Sequence, residues 1–203
     1  MKTVNKRGEK FIRGQSGFSM PELVIVLLII IIIGLIALPQ VNSSRRLFRF
    51  AAMQRQIAAT LTEARQQAMA QRRAITFRYD DSSRRTIIYG GSFGTLNDAR
   101  NRIEMLAGSG VAVSDIIYGR PAGATAAALR DASNLTSLNA GNLDITFQPD
   151  GSVIDAGNNP TNTAMFFYYN LYPEKMAFAV SVLGAGGRVK VWRYSQSVNQ
   201  YVE

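Results

Sequence analysis

Neither cysteine nor histidine occurs among the 203 residues. Without cysteine there is no disulfide framework, no thiolate metal site and no cysteine nucleophile. Without histidine, the commonest general base and the commonest metal ligand are lost together. Serine–lysine or paired-carboxylate chemistry is what remains for an enzyme, so the expectation is a chain that catalyses nothing and takes no cofactor. The length suits one domain plus a membrane segment and leaves about 160 residues to build a core.

Acidic residues are also scarce, 14 against 23 Lys and Arg, for a net charge of +9. Lys2, Lys6, Arg7, Lys10 and Arg13 stand against Glu9 in residues 1–17, which leaves +5 for residues 18–203. Arg45, Arg46, Arg49 and Arg55 then crowd the far side of a long apolar run. Basic residues on both sides of such a run set its topology and meet lipid headgroups, so nucleic acid is not the first partner this charge implies.

The run is residues 23–38, sixteen positions without a polar side chain. Counted from Phe18 to Leu38, 21 residues form a helix of ~31 Å, the thickness of a bilayer's hydrocarbon core. The stretch Ile29-Ile30-Ile31-Ile32-Ile33 is β-branched, yet in lipid only a helix satisfies its own backbone. The basic leader keeps the N-terminus in the cytoplasm and sends everything after Leu38 outward. A secretory signal cleaved near Ala37 competes with this reading, but the run is long for one and Leu35-Ile36-Ala37 is a poor cleavage site. Pro21 loses nothing in a first turn, whose N–H groups have no intrahelical acceptor. Glu22 is the oddity, a carboxylate at the mouth of a span.

Gly17-Phe18-Ser19-Met20-Pro21-Glu22-Leu23 resembles the leader-peptide motif of type IV pilins and type II secretion pseudopilins. The resemblance implies that a prepilin peptidase cuts between Gly17 and Phe18 and that Phe18 is N-methylated. It also implies that Glu22 pairs with the N-terminal amine of a neighbouring subunit, and that Pro39 bends the helix. A lone carboxylate at bilayer depth costs about 2.5 kcal/mol or more, so such a pairing drives assembly. The plainer alternative leaves Glu22 among the headgroups at the helix end.

From Arg45 to about Arg73 there is no glycine or proline, and the composition favours helix. Leu47, Phe50, Ile57, Leu61, Ala64 and Ala68 form one apolar stripe, and Asn42-Ser43-Ser44 suits a cap after a kink at 39–44. From residue 74 the period becomes two. Residues 74–79 and 86–89 predict a hairpin around a polar turn at 80–85. Residues 90–142 read as a long insertion forming surface, with short apolar pieces at 103–107, 111–113 and 115–118 and a helical turn at 125–129. Strands are expected at 143–147, 152–155, 164–172, 176–183 and 188–194, with a turn at Gln148-Pro149-Asp150-Gly151. The fold class is therefore α+β: a long N-terminal helix, membrane-spanning in its first half and amphipathic in its second, on an antiparallel β-sheet head. The divisions are 1–17 leader, 18–38 span, 39–73 amphipathic helix and 74–203 head. Ala64-Arg65…Ala68, Phe147…Gly151 and Gly187-Arg188-Val189 within this order are similar to the GspH/FimT group of minor pseudopilins.

Arg188, Lys190, Trp192 and Tyr194 alternate onto one face of the last expected strand, with Arg193 beside them. Such a face suits a phosphate backbone and stacked bases. FimT-like pilins are associated with DNA uptake through a Gly-Arg-x-Arg element. Here it reads Gly187-Arg188-Val189-Lys190, and lysine lacks the bidentate grip. A solvated strand face is the plainer reading. Asp144, Asp150, Asp155, Asn158 and Asn159 invite calcium, but their spacing fits no metal loop and they are ordinary turn formers, so no metal is expected. Tyr168, Tyr169 and Tyr172 suit sheet surface or a subunit contact. The resemblance as a whole implies a structural subunit of a pseudopilus or type IV pilus, anchored once in the bacterial inner membrane. Its partners would be prepilin peptidase, other subunits, lipid and secreted cargo or DNA. A signal-anchored envelope protein is the remaining alternative.

Overall fold

The computed structural model describes residues 18–91, 98–105, 115–122, 129, 135–155 and 157–203, with backbone alone at 37–43 and 98–105. The leader and Gly17 lie outside these residues, as do the expected pieces at 111–113 and 125–128. The chain divides into two compact units, Met1–Ser43 and Ser44–Glu203.

One helix, α1 (Met20–Gln71), carries both halves of the expected helical sequence. It starts where the Ser19 carbonyl accepts from the N–H groups of Glu22 and Leu23 at 3.0 and 3.1 Å. The backbone stays helical through 39–44, so the second half does not begin as a separate helix at Asn42-Ser43-Ser44. The expected kink at Pro39 falls where side chains are outside the description. The helix closes with Arg72 in the left-handed region (φ 51°). The Arg73 N–H then returns to the Ala68 carbonyl, a Schellman-type ending with arginine where glycine is usual.

In the second unit the helix buries Phe50, Met53, Ile57, Leu61, Ala64 and Ala68, at steps of three and four along one face. Leu47 does not join them; it is 52 % exposed, because the covered stripe begins one turn later at Phe50. The small side chains of Ala64 and Ala68 let the backbone lie close to the sheets.

The fold is α+β as expected, and the antiparallel head is divided into two sheets. The first takes β1 (Ile75–Asp80), β2 (Arg85–Gly90), β3 (Asp98–Met105), β5 (Asn142–Phe147) and β6 (Val153–Ile154) in the order β3-β2-β1-β5-β6. The second takes β4 (Ile116–Tyr118), β7 (Thr163–Tyr169), β8 (Ala177–Leu183), β9 (Arg188–Ser195) and β10 (Gln200–Val202) in the order β10-β9-β8-β7-β4. The predicted hairpin pairs Ile75 with Gly90 and Asp80 with Arg85. Residues 90–142 are more than surface. They supply β3 to one sheet and β4 to the other, and Ile116 and Leu129 are buried.

Both sheets turn alternate side chains onto α1. Ile75, Phe77 and Tyr79 come from one sheet, and Met165, Phe167 and Tyr169 from the other. Aromatic contacts run through this core. Phe50 meets Phe178 edge-on at 5.0 Å, Phe178 stacks on Phe167 at 5.3 Å, and Phe167 meets Tyr79 edge-on at 5.1 Å. Such pairs contribute about 0.5–1.5 kcal/mol each beyond area burial. They tie helix and both sheets into one packing unit. Burial pushes the Tyr79 and Tyr118 hydroxyls above their ordinary titration range. At the hairpin tip, Asp80 accepts from the Ser82 hydroxyl and N–H and from Ser83. Those bonds lower its carboxyl to about 2.

Candidate functional site

The first unit presents an apolar surface with one acid at its start. Leu23, Ile25, Leu28, Ile30, Ile33 and Leu35 are between 54 % and 69 % exposed. Glu22 stands in the first turn of α1, at the third helical position after the Ser19 cap. A carboxylate there meets the positive end of the helix dipole, so Ser19 and Glu22 have the spacing of a capping box. Phe18 precedes the helix and is 76 % exposed. Among the described residues no helix is long and apolar enough to cross a membrane; the described apolar side chains stop at Ile36. A helix apolar on every face is normally covered, by lipid or by other chains.

In the second unit, three separated pieces of sequence meet. The turn after β5 brings Gly151 (φ 84°) against the turn after β8, which contains Gly187 (φ 58°). A β-carbon on Gly187 would stand 1.8 Å from the Gly151 carbonyl oxygen and 2.9 Å from Arg65 Nε. A β-carbon on Gly151 would stand 3.1 Å from the same Nε. Arg65, Gly151 and Gly187 thus form one junction where two turns cross over the helix. Arg65 Nε is buried there without a hydrogen-bond partner among the described residues. The sequence pattern contained all three residues but not the reason for them, which is backbone approach too close for any side chain.

On β9 the expected alternation holds, but the tryptophan on that face is covered. Trp192 is 1 % exposed, packed with Leu129, Ala164, Phe166 and Ala179 in a second core cluster bordered by Tyr201. Its indole N–H donates to the Ser181 hydroxyl at 2.8 Å. Lys190 lies 5.1 Å over the Trp192 ring and donates to the Glu203 carboxylate at 3.3 Å. Neither the stacking platform nor a wholly solvated strand face describes this side of β9, because Trp192 is buried and has no free face for a base. Arg193 lies on the opposite side of the strand from Arg188 and Lys190, along with Val189 and Val191. Only Arg188 of the basic stripe is broadly exposed, with Glu203 at 4.0 Å.

The oxygen-bearing residues considered for calcium are engaged elsewhere. Asp144 accepts both bonds of a bidentate pair from Arg78 at 2.6 and 2.7 Å. Asp150 accepts from the Ser152 N–H and hydroxyl, which lowers its carboxyl. Asp155 accepts from the N–H groups of Gly157 and Asn159. Among the described residues no cluster of acidic side chains is arranged to hold a metal ion. Of the tyrosines, Tyr169 is core while Tyr172 is 48 % exposed.

No family model and no curated protein matches the chain. Solved structures do resemble it. A crystal structure of the type IV minor pilin FimU of Pseudomonas aeruginosa is 17 % identical, with a TM-score of 0.48 over 76 % of this chain and 92 % of that one. A second crystal form of FimU gives 17 % identity and a TM-score of 0.46, over 75 % of this chain and 97 % of that one. The likeness stands as a resemblance and carries no residue, partner or role across to this chain.

Proposed function

We propose that the chain is a minor pilin or pseudopilin, a structural subunit that enters a fibre through its N-terminal helix and displays its head outside the cytoplasm. The observation that carries this reading is the helix beginning at Met20. It is apolar on every described face to Ile36, has a single acid in its first turn, and is preceded by Gly17-Phe18-Ser19. A prepilin peptidase releases residues 1–17 and methylates Phe18, which leaves a positive amine one turn from Glu22. In the membrane, residues 18–38 anchor the subunit. In a fibre, the same surface packs against other subunits, and Glu22 neutralises the amine of a neighbour and so fixes the stagger. A carboxylate in an apolar setting is stabilised when such a partner arrives. The head primes or caps the fibre, whether in a type II secretion pseudopilus or a type IV pilus.

N-terminal sequencing of the membrane-inserted protein tests the processing step. A start at methyl-Phe18 is expected, whereas a start at Met1 or Leu38 removes the reading. Glu22→Ala is expected to leave cleavage and the folded head intact and to abolish incorporation into fibres. Normal assembly by that variant refutes the charge-pairing step.

A further inference from the structure

A groove of about 600 Å³ runs beside the head's helix, lined by Phe48, Ala51, Arg55, Ala58, Val191 and Arg193. We propose that it receives an amphipathic helix from a different chain, one whose polar side is acidic. The inference rests on the assembly reading above only in making that chain another fibre subunit.

Three observations set the partner's chemistry. First, the groove has an apolar side with an anchor left uncovered: Phe48 is 71 % exposed. Alanines at 51 and 58 leave room for a second helix to approach, the geometry of helix-in-groove recognition. Second, its charge is positive and unspent. The exposed Arg193 guanidinium has no acid opposite it among the described ion pairs, and the Arg55 guanidinium donates to the Ala51 carbonyl at 3.2 Å. The one acid lining the groove, Glu203, already faces Lys190 at 3.3 Å and Arg188 at 4.0 Å. Third, a second copy is a poor occupant. Residues 44–71 of this chain hold five arginines against the single Glu63, so packing this helix into an identical groove sets cation against cation. Like-charge juxtaposition of this kind rejects wrong partners. The groove therefore selects a neighbour unlike itself.

The probes are two synthetic amphipathic peptides with leucine at helical spacing, one with glutamate and one with lysine at the remaining positions. Binding to the full-length protein in zwitterionic micelles is read by anisotropy, corrected with empty micelles. The glutamate peptide is expected to bind with an affinity that falls as salt rises, and the lysine peptide at least tenfold more weakly. Arg55→Glu combined with Arg193→Glu should cost at least tenfold. Phe48→Ala should weaken binding several-fold with its salt dependence kept. All three side chains are exposed, and unchanged Trp192 fluorescence confirms that the head is folded. Equal binding of both peptides, binding of neither, or an unchanged double variant overturns the proposal. So does binding of phosphatidylglycerol vesicles through the two arginines in place of the peptide, or a homodimer that the double variant disperses. N-terminal sequencing decides the assembly reading separately and is indifferent to this groove.

Discussion

Replacing Gly187 with alanine is expected to destabilise the head far more than the same change at its neighbour Gly186. A methyl at 187 would begin 1.8 Å from the Gly151 carbonyl oxygen. Contact at 3.0 Å, about the tightest real β-carbons show, therefore requires the two turns to part by at least 1.2 Å. Neither turn is free to yield. The Gly151 N–H donates to the Gln148 carbonyl at 2.8 Å, and the Gly187 N–H donates to the Leu183 carbonyl at 2.7 Å. Overpacking of this kind costs about 1–3 kcal/mol, and an L-residue held in the left-handed region adds about 1–2. A total of about 3 kcal/mol lowers Tm by about 6–12 °C in a domain of this size. At Gly186 an added β-carbon meets nothing within 4 Å, so Gly186→Ala should stay within about 0.5 kcal/mol of the parent. The sole tryptophan, Trp192, is buried in the head, and its fluorescence reports urea or thermal unfolding without interference. Equal stability of the two variants would show that the crossing of the turns does not hold the head together.

Leu61 and Ile57 are wholly buried under the sheets, so either change to alanine should cost about 2–5 kcal/mol in urea titrations, while Leu47→Ala should cost almost nothing. Ser181→Ala leaves the Trp192 indole N–H unpaired in the core, with an expected loss of about 1–3 kcal/mol in the same titrations. Asp80 carries a pH dependence of definite sign. Its folded carboxyl titrates at about 2, below the ordinary value of about 3.9, so its contribution is full above pH ~4 and is lost as pH falls toward 2. Acid titration of Asp80→Asn should show a shallower loss of stability across that window than the parent.

The strands most legible in the sequence are those whose side chains line the core. β1, β5, β7 and β8 each carry a buried alternation or a continuous apolar run, and the short outer strand β6 is marked by the turn before it. β3 reads Asp-Ala-Arg-Asn-Arg-Ile-Glu-Met and β10 only Gln-Tyr-Val. As edge strands they take their conformation from one neighbour and need little pattern of their own. The division into two sheets was invisible for a related reason. Alternation tells which side chains share a face, not which sheet the strand joins. The same limit explains Trp192. Alternation gives its side of β9, but the cover over it comes from Leu129, far away in sequence, and from Tyr201 on the short strand β10, both unremarkable where they stand. Leu47 shows the reverse case, a residue in perfect helical register for which no sheet remains to pack against.

The strands that close the two sheets have a consequence for how the head behaves in company. Of the four outer strands, β6 has two residues and β4 and β10 three each, leaving β3 with eight. An open strand offers any passing chain a row of backbone donors and acceptors, a form of adhesion that ignores sequence. Three borders too short to template a ladder deny that option. Among the described strands, edge-to-edge pairing is then confined to β3. Along the other three borders, what the head meets is decided by side chains, which can discriminate, and not by backbone, which cannot.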